Sequence, residues 1–123
     1  MSKATVAGLE IEFAAGHPAW ACYEALTGRS IFDATQLLAL FRAGVSLVHE
    51  FGWALSVKWR REYQPTMLYE AWIDLLPALG TPEWEALHLA ISDEVGQAFY
   101  GRTWAELLGI LKVQADAIEL VEA

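Results

Sequence analysis

Three histidines, one cysteine and a few paired carboxylates are the side chains in this 123-residue sequence whose chemistry would suit catalysis or metal binding. His17, His49 and His88 fall in three separate predicted elements. His49-Glu50 lacks the second histidine, four residues on, that a zinc-protease helix requires. An enzyme built on these residues would have to assemble His17, His49 or His88 with a carboxylate in space. The simpler reading makes His17 a loop residue and the other two helix-face residues. Cys22 sits among small residues and reads as a small buried hydrophobe. Ser30, Ser46, Ser56 and Ser92 have no nucleophile-elbow context, and the glycines form no phosphate-cradling loop. Asp93-Glu94 and Glu83-Glu85 point different ways on a helix, so neither makes an acid-base pair; both read as solvated faces. The expectation is a protein that is not an enzyme and carries no cofactor or metal.

Tryptophan is the conspicuous residue. Trp20, Trp53, Trp59, Trp72, Trp84 and Trp104 are spread over almost every predicted helix, with core packing as the default. Trp59 stands beside Lys58, Arg60 and Arg61, the only basic cluster, which reads as the wet end of a helix. Tryptophan and arginine together are enriched in interface hot spots, so Trp59 is a candidate partner contact.

The elements that would position these residues follow from periodicity. Leu9, Ile11 and Phe13 alternate with Glu10 and Glu12, the period-two pattern of a half-buried strand. Gly8 turns a hairpin over 4–13, with strands Thr5–Ala7 and Leu9–Phe13. A two-stranded hairpin is marginal alone, so it must lie on helices or pair with another subunit. Six helices are predicted at about 18–27, 31–43, 47–63, 67–76, 83–100 and 104–121. Pro18 opens the first and Gly28 closes it. Phe32 to Trp59 is the most apolar stretch, with Leu47, Val48, Phe51 and Leu55 at helical spacing. Gly52, inside that helix, costs about 1 kcal/mol relative to alanine and is explained if another helix passes close by. Thr66 opens the fourth helix, with Leu68, Trp72 and Leu75 or Leu76 inward. Thr81-Pro82-Glu83 is a start signal, followed by Leu87, Ile91, Val95 and Phe99 in steps of four. Thr103 and Glu106 form a capping box ahead of a stripe containing Leu107 and Leu111. The fold class expected is mostly α: a small N-terminal hairpin, then about five or six helices in a single domain, 1–123.

Bulk properties exclude some partners. Residues 1–62 carry six basic and six acidic groups, so residues 63–123 hold the whole net charge of −8. That half would repel a phosphate backbone, so no nucleic acid is expected. One cysteine permits no internal disulfide. No run of about 18 apolar residues would span a membrane and no signal-length segment opens the chain, so a cytoplasmic protein is expected. Apolar residues make up 55% and charged residues 20%. That balance favours a chain that hides surface against a partner or against copies of itself.

The first third of the chain resembles a known family. Val6-Ala7-Gly8-Leu9-Glu10-Ile11-Glu12-Phe13 precedes a helix ending Tyr23-Glu24-Ala25-Leu26-Thr27-Gly28-Arg29-Ser30. A second helix ends Leu40-Phe41-Arg42-Ala43-Gly44. This is similar to the tail assembly chaperones of long-tailed bacteriophages and gene transfer agents. In them a small hairpin leads into a helix closing on a Glu-x-x-Thr-Gly-Lys/Arg-Ser segment, matched by Glu24, Thr27, Gly28, Arg29 and Ser30. The resemblance implies a non-enzymatic protein that binds the tape measure protein, keeps its apolar helices soluble and helps recruit tail tube subunits. On that reading Leu9, Ile11, Phe13, Trp59, Leu107 and Leu111 are the candidate interface residues. Another phage structural component, such as a head-to-tail joining protein, is the alternative.

Overall fold

A computed structural model of the protein describes residues 1–30 and 47–103, together with Val45, Glu106 and Gly109. Strands β1 (Ser2–Val6) and β2 (Leu9–Phe13) come first, then helix α1 (His17–Thr27). A π-helical turn (Leu47–Phe51) runs into α2 (Gly52–Leu55) and α3 (Val57–Tyr63), followed by α4 (Tyr69–Leu75) and α5 (Pro82–Tyr100). The fold is mostly helical with an N-terminal antiparallel hairpin, the class expected. The predicted helix 31–43 lies outside the described residues, and so does 104–121 apart from Glu106 and Gly109. At the start of the latter, the Glu106 amide donates to the Thr103 hydroxyl at 3.3 Å.

The hairpin forms where alternation predicts it, but its turn is Ala7-Gly8 and β1 begins at Ser2. Both turn residues have positive φ, 50° and 80°. That is the two-residue turn whose twist suits paired strands. Ala4, Val6, Ile11 and Phe13 point inward and are buried, while Lys3 and Thr5 face out with Glu10. Each of Ile11 and Phe13 is fully buried, worth about 1.5–3 kcal/mol. The hairpin rests on α5 and α2 of the same chain, and the Ala14 amide donates to the Leu55 carbonyl at 2.9 Å.

Helix ends follow the sequence signals. Gly28 and Gly101 are left-handed residues just past α1 and α5, and the Thr81 hydroxyl accepts from the Trp84 amide. Two expectations need correcting. The single helix expected over 47–63 is interrupted at Ser56. There the Trp53 carbonyl accepts from the Ser56 hydroxyl at 2.9 Å and from Arg60 Nη2 at 2.8 Å. Side chains thus compete for a carbonyl that a continuous helix would use. Leu68, expected inward, precedes α4 in extended backbone and is 72% exposed.

One apolar cluster joins the hairpin, α1, the π-turn, α2, Trp59, Trp72 and α5. Gly52 sits at its tightest point. A Cβ there would lie 2.9 Å from Ile91 Cδ1 and 2.9 Å from the Trp72 ring, the close approach foreseen for this glycine. The Trp72 ring is held in turn by its Nε1–H, which donates to the His49 carbonyl at 3.2 Å. Tyr23 stacks on Phe51 with ring centres 4.6 Å apart.

Candidate functional site

The residues singled out for chemistry do not converge. His17 opens α1 and is exposed. His49 lies edge-on to Trp84, with ring centres 6.4 Å apart. His88 Nδ1 is 3.5 Å from the Ser92 hydroxyl, and burial pushes its pKa below the ordinary 6.5 while Glu85 pulls it back up. Among the described residues no group of three His, Cys, Asp or Glu side chains is placed to hold a metal ion. The three-histidine arrangement is therefore not assembled.

Two charged side chains read as solvated are in fact buried. Arg60 is only 8% exposed. Its guanidinium lies 3.3 Å from the centre of the Trp53 ring. Its Nε–H donates to the Ser56 hydroxyl at 3.1 Å and its Nη2 contacts Cys22 Sγ at 3.4 Å. The groups that hold it are a hydroxyl, a thiol, a carbonyl and an indole face, and none is a carboxylate. Burial lowers its pKa from the usual arginine value, with the Cys22 sulfur acting the other way. The guanidinium stays charged and fastens α1 to the break between α2 and α3. Lys58 and Arg61 are exposed, as a wet helix end requires.

Glu94 is the second correction. It is 8% exposed. Its Oε1 accepts from the Ala15 amide at 3.0 Å, and its Oε2 accepts from the Ser2 hydroxyl at 3.0 Å and lies 3.3 Å from the Met1 ammonium. No local pattern marks it, because every partner is distant in sequence.

The Glu24–Ser30 segment acts as a helix terminator. The Gly28 amide donates to the Glu24 carbonyl at 2.8 Å, and the Arg29 amide to the Thr27 hydroxyl at 3.1 Å. The Arg29 guanidinium then reaches Glu50 in the π-turn at 2.8 Å. The motif thus fixes where the chain leaves α1 and what that end touches.

The candidate interface residues divide. Ile11 and Phe13 are sealed in the core, and Trp59 is 5% exposed. All three pack within the chain. Trp59 is buried although Lys58 and Arg61 beside it are exposed, so it follows the core packing that is the default for these tryptophans. Its ring lies 6.2 Å from that of Tyr63, one turn on. Leu107 and Leu111 lie outside the described residues. Leu9, however, is half-buried and meets Trp59 across an open cleft of about 440 Å³. Gly8, Glu10 and Glu12 form the hairpin wall of this cleft, and Tyr63 and Gln64 complete the helical wall. Tyr63 is 60% exposed. Sequence reasoning missed Tyr63; the four-residue step that puts it on one helix face with Trp59 is the signal that could have marked this wall. The cleft offers an aromatic floor and an acidic rim, chemistry suited to another polypeptide. Among the described residues no helix is long and apolar enough to cross a membrane. Compared with known family models, curated proteins and solved structures, the chain matches none.

Proposed function

We propose that this chain is a non-enzymatic tail assembly chaperone of the kind found in long-tailed bacteriophages and gene transfer agents. It binds the tape measure protein, keeps its long apolar helices in solution and helps recruit tail tube subunits. The reading is carried by one observation: the N-terminal hairpin leads directly into a helix that ends at Thr27-Gly28, with Gly28 left-handed and Arg29 anchored on Glu50. That is the order of elements the family resemblance implies for these residues. Exposed Leu68, Leu79 and Leu89 give apolar side chains for a client to cover. The net charge of −8 keeps such a surface soluble between clients.

Co-expression with the tape measure protein encoded in the same genome tests the role. The client should be recovered soluble and bound only when this chain is present. Leu68→Asp combined with Leu79→Asp should weaken recovery without unfolding, since both side chains are mostly exposed. Leu107→Asp with Leu111→Asp tests the last predicted helix the same way. A client equally soluble without this chain would overturn the proposal.

A further inference from the structure

Among the described residues the outer edge of β2 has no partner strand, and it looks into the cleft. In a hairpin with a two-residue turn, the pair flanking the turn exchanges both hydrogen bonds and the pairs alternate thereafter. Val6–Leu9 flanks the turn here, so Ala4–Ile11 is the next bonded pair. The backbone N–H and C=O groups of Glu10 and Glu12 therefore point away from β1. Among the described residues no backbone hydrogen bond from outside the hairpin reaches either residue. The cleft closes where Ala14 bonds to Leu55 and opens toward Gly8.

The geometry points to this cleft as a site where an extended segment of a partner protein adds to β2 as a third strand. The segment alternates apolar and basic side chains. Its backbone pairs with the free groups of Glu10 and Glu12. Its apolar side chains point down, with Leu9, onto Trp59 and Tyr63. Its basic side chains lie on the outer face beside the Glu10 and Glu12 carboxylates, where opposite charges on neighbouring strands attract. Lys3 already lies 3.4 Å from Glu10 and 3.6 Å from Glu12, which leaves one carboxylate's charge over for the newcomer.

A second copy of this chain fits poorly. Antiparallel pairing of two β2 edges about Ile11 sets Glu10 against Glu12 of the other copy. An added strand lies about 4.8 Å from β2, directly above α3. A hairpin bringing its own helices, each about 10–12 Å across, collides there, whereas a lone extended segment carries no helical layer of its own to clash with α3. The site stands independently of the chaperone role, which the client experiment above tests separately.

The probe is the peptide Lys-Val-Lys-Val-Lys-Val-Lys, compared with Glu-Val-Glu-Val-Glu-Val-Glu, titrated into the isotope-labelled protein. The lysine peptide should bind at least about tenfold more tightly and slow amide hydrogen exchange at Glu10 and Glu12. Glu10→Pro removes an outward N–H that the hairpin does not use and should abolish binding. Glu10→Lys with Glu12→Lys, both surface changes, should reverse the peptide preference. The inference is overturned by no binding of the lysine peptide, by equal binding of both peptides, or by binding without protection at these amides. Self-association of the wild type that Glu10→Pro removes would assign the edge to a second copy and overturn it as well.

Discussion

At the scale of single residues, one buried and one half-buried polar side chain, Glu94 and His88, carry more than their neighbours in sequence suggest. Glu94→Ala leaves the Ala15 amide and the Ser2 hydroxyl without their acceptor. A stranded buried donor costs about 1–3 kcal/mol; both donors here are part-buried, so urea denaturation should show a loss toward the lower end of that range. Glu94→Gln should lose less, because the amide oxygen still accepts from Ala15. His88 supplies a pH dependence. Burial lowers its pKa in the folded protein, so the unfolded chain takes up the proton more readily. The contribution to stability is complete above about pH 6.5, the unfolded value, and is lost as pH falls from there toward the folded value. His88→Gln should flatten the stability profile below about pH 6.5, measured by denaturation at each pH.

Elements show where local reasoning succeeds and where it stops. Hairpin alternation, the Gly28 and Gly101 ends, and the Thr81-Pro82 start were readable because each is set within a few residues of itself. The break at Ser56 was not, since it depends on the Arg60 guanidinium folding back over Trp53. Leu68 was misplaced because its apolar spacing continues past the true start of α4. In the cleft, one wall was readable as an alternating strand, but its approach to Trp59 is a tertiary fact. Two substitutions test the elements directly. Gly52→Ala gains about 1 kcal/mol of helix propensity but drives a methyl into the fixed Trp72 ring. Overpacking of this sort costs about 1–3 kcal/mol, so the net effect on thermal denaturation should be a loss. Ala7 pays for its left-handed φ of 50°. Ala7→Asn should therefore stabilise the hairpin by about 1 kcal/mol, because asparagine tolerates that region better.

For the whole molecule, the start of the hairpin and the chain just past its end are both tied to one residue of α5, Glu94. The Ser2–Glu94 and Ala15–Glu94 bonds span 92 and 79 residues of sequence. Contacts of such separation carry a large closure entropy before they return anything. The hairpin should accordingly be the last part to dock as the protein folds and the first to leave as it unfolds. In stopped-flow kinetics Glu94→Ala should accelerate unfolding and leave the refolding rate nearly unchanged. A chain emerging from the ribosome would thus hold its first strands undocked until α5 had been made.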